Sequence, residues 1–117
     1  MIIMITSQGA TLKSKPNQIF GRSLMFIKYD TENDKWEAFM NPGVNEPGGA
    51  SIAASQFVID QQSSAVISGN FGPNAFRLLE AAGIQMWTFD PSCVSIEDVV
   101  NAYKKNQLTP FLQSRKN

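Results

Sequence analysis

The sequence predicts an α/β domain of three layers, with helices on both faces of a five-stranded mixed sheet in the order 3-2-1-4-5 and strand two antiparallel to the rest. Three observations carry this prediction. Residues 65–83, AVISGNFGPNAFRLLEAAG, join a short β-branched run to an amphipathic helix through a glycine-rich turn, the pattern of a buried parallel strand leading into a crossover. Ile2, Ile3, Met4 and Ile5 form a continuous apolar run, which suits a central strand covered on both faces. The segments then alternate as β-β-β-α-β-α-β-α, an antiparallel hairpin onto strand one followed by helical crossovers. If the crossovers are right-handed, adjacency gives the stated order, with the first two helices on one face and the third on the other.

Each element has local support. Residues 7–23, SQGATLKSKPNQIFGRS, show no period, and an irregular loop of that length in a small domain is usually functional or mobile. Residues 24–30 read as strand two, TENDK as a polar turn, and residues 36–40 as strand three, where Trp36, Ala38 and Met40 alternate with Glu37 and Phe39. Residues 41–49, NPGVNEPGG, form a second loop, and Ala50, Ala53, Ala54, Phe57 and Val58 then share one helical face. Ala65–Ser68 gives strand four. Pro73 suits a first helical position and Gly83 the residue just past a helix end; between them Ala75, Leu78, Leu79 and Ala82 recur at helical spacing. Residues 84–88 read as strand five. Ser95 with Asp98 three residues later forms a capping-box pattern before Ile96, Val99, Val100 and Tyr103. QSRKN lacks an apolar anchor, so a frayed tail is expected over residues 111–117.

Composition narrows the function. One domain spanning residues 1–117 is expected at this length. Ten basic and ten acidic residues cancel, which argues against nucleic acid or an anionic membrane as a partner met through bulk charge. No stretch is long enough to span a bilayer and MIIMIT lacks signal-peptide features, so a cytoplasmic location is expected. The single cysteine, Cys93, excludes an internal disulfide. The absence of histidine removes the commonest general base and metal ligand, and with it any Ser-His-Asp or Cys-His pair.

In the predicted topology, strands one, three, four and five point the same way, so the loops after them gather along one rim. Strands one and four lead in opposite directions, which makes the crevice between them the switch point where α/β sheets bind ligands. The residues placed there are Ser7, Phe20, Gly21 and Arg22 from the first loop, and Gly69, Asn70, Gly72 and Asn74 around the start of the second helix. Free N–H groups of that helix's first turn suit an anion, and Arg22 either pairs with an oxyanion there or stands as a solvated cap of strand two. Lys13 and Lys15 either deepen a positive rim or are merely solvated. Asn70 and Asn74 either donate amides or serve as turn and cap residues. Cys93, just after strand five, is either a thiolate metal ligand near the rim or a small buried apolar side chain.

Three segments, FGR at residues 20–22, NP with a glycine-rich helix start at 41–50, and GNFGPNAF followed by AAGI at 69–84, are similar to the dinitrogenase iron-molybdenum cofactor family. Its members include NifX-type carriers and the C-terminal part of NifB. The resemblance covers nearly the whole chain and implies a ribonuclease H-like fold, a non-catalytic carrier role, an iron-molybdenum or other molybdenum-containing cluster as cargo, and cluster-assembly proteins as partners. Cofactor-binding members often carry histidine before the FG, where this chain has Ile19, or cysteines in the loops. The expected ligand is therefore an anionic metallocluster, or its oxometalate or thiometalate precursor, held through amides and Arg22 by a monomer or weak dimer. Two alternatives remain: an interaction module without a cluster, and a small hydrolase acting on a phosphorylated metabolite. Nuclease chemistry with two metal ions is disfavoured, since the central strands offer no acids.

Overall fold

The computed structural model describes residues 1–112. At its centre lies β1 (Ile2–Ser7), whose Ile3, Met4 and Ile5 are fully buried because helices cover both faces of the sheet. β1 pairs antiparallel with β2 (Met25–Asp30), and β2 pairs antiparallel with β3 (Trp36–Met40). On its other side β1 pairs in parallel with β4 (Ala65–Ser68), which pairs in parallel with β5 (Gln85–Thr88). The helices are α1 (Ala50–Asp60), α2 (Pro73–Ala81) and α3 (Ile96–Lys104). A two-residue β6 (Thr109–Pro110) closes the order as β3-β2-β1-β4-β5-β6. The fold class and the order of the first five strands are those the sequence predicts; β6 is an addition.

Side-chain alternation along β1 divides the core. Met4, Phe26 and Val66 face Ala54 and Val58 of α1 and Ala75 and Leu79 of α2. Ile3, Ile5, Ile27, Ala65 and Ile67 face Ile96, Val99 and Val100 of α3. The first two helices thus share one face and the third takes the other. Ala82, expected on the buried face of α2, is instead exposed, because the helix ends at Ala81. There the Ile84 amide donates to the Leu79 carbonyl and the Gly83 amide to the Glu80 carbonyl, both at 3.0 Å, with Gly83 at φ 75°. That paired bonding around a left-handed residue stops the helix. The capping box of α3 is present in both halves.

The chain end also departs from expectation. Phe111, placed in the frayed tail by its sequence position, donates its amide to the Met86 carbonyl at 2.9 Å. Its ring lies 5.1 Å from that of Phe71 and 5.9 Å from that of Phe76, so apolar contact and a sheet hydrogen bond hold it. The remainder of the fraying expectation, from residue 113 onward, lies outside the described residues. Among the described residues, no helix is long and apolar enough to cross a membrane.

Candidate functional site

Because β1, β3, β4 and β5 run in one direction, the loops that leave them meet at one end of the sheet, where three are knitted by close contacts. Buried Asn41 donates from Nδ2 to the carbonyls of Gly21 at 3.0 Å and Ser23 at 2.9 Å, and its Oδ1 accepts from the Gly43 amide at 2.8 Å. A Cβ on Gly43 would strike the Ala50 carbonyl, so only glycine lets this loop lie against the start of α1. At Gly69 a Cβ would fall on Gln18, 2.7 Å from its Cα. The glycine therefore allows the β4–α2 turn to press against the first loop.

These loops enclose an open cleft of about 400 Å³. Phe20, Gly21 and Arg22 form one wall, residues 49–51 at the start of α1 a second, and Asn70, Gly72 and Asn74 at the start of α2 a third. Phe20 is fully buried, its ring 5.3 Å from Phe71 and 5.6 Å from Phe26, which anchors its wall in the core. A wider depression of about 590 Å³ lies at the other end of the sheet, by the β2–β3 turn. Its lining sets Lys28 and Lys35 against Asp30, Asp34 and Glu37, so the larger volume there offers no positive site for an anion.

The three helix starts differ in how their amides are used. α3 is closed: the Ile96 and Glu97 amides donate to the carbonyls of Ser14 and Leu12, each at 2.9 Å, and Ser95 Oγ accepts from the Asp98 amide at 3.2 Å. α1 and α2 have neither a side-chain cap nor an acidic residue in the first turn. Both border the cleft, so two positive helix ends meet at one place. The second of them, at α1, goes beyond the sequence reading, which placed free amides only at α2. Its signal is the NPGVNEPGG run, which supplies no Ser, Thr or Asp at the cap position.

Of the residues expected at the crevice, Phe20, Gly21, Arg22, Asn70, Gly72 and Asn74 line the cleft. Arg22 is exposed, and its Nη1 donates to the carbonyls of Glu46 at 2.9 Å and Val44 at 3.4 Å, which braces the 41–49 loop. Asn74 Oδ1 accepts from Arg77 Nη2 at 2.6 Å. Gly72 adopts φ −76° and ψ 171° as the cap of α2, with open space where a Cβ would stand. Ser7 and Gly69 do not line the cleft. Ser7 is buried because β1 carries it inside; its Oγ donates to the Gly9 carbonyl at 2.7 Å and its amide donates to Ser23 Oγ at 3.1 Å. Gly69 is covered by Gln18. Lys13 and Lys15 also lie off the lining.

Cys93 stands apart, packed against the core on the α3 side of the sheet. Partial burial pushes its thiol pKa up, and the carboxylates of Asp90 and Asp98 push it further, so at neutral pH it is a thiol rather than the thiolate that ligates soft metals. Among the described residues, no three His, Cys, Asp or Glu side chains group to hold a metal ion. The donors present at the cleft are backbone amides, the Ser51 hydroxyl, the side-chain amides of Asn70 and Asn74 and the Arg22 guanidinium. That set fits an anion and does not fit a cluster held by thiolates.

Known proteins agree with this architecture. A family model described as dinitrogenase iron-molybdenum cofactor matches residues 1–106. The apo form of the orange protein from Desulfovibrio gigas superposes with a TM-score of 0.86 at 25% identity, over 95% of this chain and 96% of that one. A NifB-like Thermotoga protein of the DUF35 family gives 0.81 at 26% identity, over 98% of each chain. The crystal structure of PH0822, at 22% identity, gives 0.75 over 97% of this chain and 98% of that one and shows the shared fold. No curated protein matches the sequence.

Proposed function

The chain belongs to the dinitrogenase iron-molybdenum cofactor family, and from that premise we propose that it is a non-catalytic carrier of an anionic metallocluster or of an oxometalate or thiometalate precursor. The cargo sits in the cleft between the starts of α1 and α2. One observation carries the reading: of the three helix starts among the described residues, the two at the cleft lack a side-chain cap and the third is closed by loop carbonyls and a capping box. Both caps are glycines, Gly49 and Gly72, which cost only about a few tenths of a kcal/mol against a side-chain cap and leave the first-turn amides open to a ligand.

Magnitudes say how the cleft must work. A partly buried helix start contributes up to about 2 kcal/mol toward an anion, so two supply at most about half of the roughly 8 kcal/mol that micromolar affinity requires. The rest falls to Arg22, Asn70 and Asn74. Asn74 can turn its amide nitrogen to the cargo while its oxygen stays with Arg77. Cys93 stays outside the site. The cargo is therefore built elsewhere and passed in and out by cluster-assembly proteins, and a lone cysteine suits the reducing cytoplasm. The absence of histidine, with Thr6, Ser7 and Ser68 rather than carboxylates at the ends of β1 and β4, supports the non-catalytic reading.

Anaerobic titration with tetrathiomolybdate, followed by its visible absorbance, tests this. A saturable one-to-one change that weakens as salt rises is expected. No binding to the unmodified protein would refute the carrier role.

A further inference from the structure

Among the described residues β3 is an open edge of the sheet, and its outward backbone groups are complementary to themselves. Its ladder with β2 fixes which groups are free. The Asp30 amide donates to the Lys35 carbonyl at 2.9 Å and the Asn41 amide to the Leu24 carbonyl at 3.2 Å, and the register between them runs unbroken from Tyr29 opposite Trp36 to Met25 opposite Met40. Antiparallel bonding alternates along a strand. Glu37 and Phe39 therefore turn both amide and carbonyl toward β2, as Lys35 does its carbonyl and Asn41 its amide, and Trp36, Ala38 and Met40 turn theirs away from the sheet. The other edge is closed to pairing of this kind, since β6 has two residues and one is Pro110. Within β3 Glu37 is the one charged guard, and there is no proline, lysine or bulge, the other usual guards of an exposed edge. Trp36 and Met40, which share a side-chain face, are 39% and 62% exposed.

We propose that β3 pairs antiparallel with β3 of a second copy of this chain, about a two-fold axis at Ala38, so that two sheets join into one. In this register all three outward-facing residues meet outward-facing residues: Trp36 opposes Met40 of the second copy, Ala38 opposes Ala38, and Met40 opposes Trp36. Each pair exchanges two hydrogen bonds. A slip of one residue would set outward groups against inward ones and lose the ladder. The same register lays each Met40 side chain beside the Trp36 ring of the other copy, a favourable sulfur–aromatic neighbour pair. It also sets Glu37 opposite Phe39, so no like charges face each other directly.

The area sets the strength. A five-residue edge with two apolar side chains offers on the order of 300–400 Å² per copy, about half of what a stable interface buries on each side. The dimer is accordingly weak and forms as concentration rises. Its two clefts open at opposite ends of the joined sheet, because the strands run in opposite directions.

Sedimentation velocity from micromolar to millimolar protein tests the proposal. The average mass should climb from 12.9 kDa toward twice that value. Ala38→Pro removes one outward donor and no ladder bond to β2, so it should keep the far-ultraviolet circular dichroism of the unmodified protein and weaken dimerisation at least tenfold. Trp36→Lys and Met40→Glu should each abolish the dimer, and the double variant Trp36→Lys/Met40→Glu should regain it through cross-strand ion pairs. Three results would overturn the proposal: a monomer at millimolar concentration, a dimer indifferent to Ala38→Pro in folded protein, or an edge that binds an extended peptide of another protein without self-association.

Discussion

Asn41 donates its side-chain amide to the Gly21 carbonyl at 3.0 Å from full burial, and this bond ties the loop that carries Arg22 to the loop that leads into α1. Two walls of the cleft therefore move as one body. The same amide reaches Ser23, so Asn41→Ala would leave two buried carbonyls and the Gly43 amide without this partner. A cost of about 2–3 kcal/mol is expected, which lowers Tm by roughly 10 °C for a domain of this size. A thermal melt that shifts by only a degree or two would show that water replaces the amide freely.

Two glycines at the cleft separate structure from binding. Gly43→Ala forces a Cβ against the Ala50 carbonyl, a backbone atom that cannot step aside without moving α1, and a loss of about 1–3 kcal/mol is expected. Gly72→Val meets open space at an extended φ, so its Tm should stay within a few degrees. It should still weaken tetrathiomolybdate binding, since a branched side chain stands at the mouth of α2. Melting curves and titrations of both variants check the contrast; a collapse of stability in Gly72→Val would make that glycine structural.

Much of this was legible in the sequence. Ile3, Met4 and Ile5 marked a central strand because an apolar run without alternation has few other homes, and Pro73, Gly83 and the Ser95–Asp98 pair set helix ends by local chemistry. β6 was not legible: Thr109–Pro110 is too short to show a period, and its pairing is fixed by Phe111 reaching Phe71 and Phe76, forty and thirty-five positions back in the sequence. At the site, glycines and asparagines announced a turn with open amides. The inward aim of Ser7 and the bracing of Arg22 by Val44 and Glu46 depend on how separate loops meet, which no local pattern encodes. Asn41 was visible only as part of an NP turn, and its role as a knot between loops appears once Gly21 and Ser23 are beside it.

Away from the cleft, Lys104 hydrogen-bonds Asp34, whose Oδ1 also accepts from the Tyr29 hydroxyl at 2.8 Å. The Lys104 bond first, and the Tyr29 bond second, hold the Asp34 carboxyl below its ordinary pKa. A lowered folded pKa contributes stability that is present above the unfolded carboxylate value, near 4, and lost as pH falls through the folded value. Lys104 is raised, chiefly by Asp34; its contribution is complete below its unfolded value and lost as pH rises through the folded one. In Lys104→Met, the Asp34 titration followed by carboxyl-carbon NMR should move upward, while the Tyr29 bond keeps it from returning fully. An unmoved midpoint would show that the ion pair does not persist in solution, as is common for exposed pairs.

The central claim is that amides and a guanidinium, not a thiolate, hold the cargo, and Arg22 and Cys93 lie on opposite sides of that question. Losing a charge-assisted bond costs about 1.5–3 kcal/mol, so Arg22→Ala should weaken tetrathiomolybdate binding roughly ten- to a hundredfold. Cys93→Ser should leave it unchanged, since that side chain packs on the α3 side of the sheet. Parallel anaerobic titrations of the two variants measure both at once. Weakened binding in Arg22→Ala with full affinity in Cys93→Ser is the predicted result; binding that survives loss of Arg22 and collapses in Cys93→Ser, where serine cannot replace a soft donor, would contradict the account.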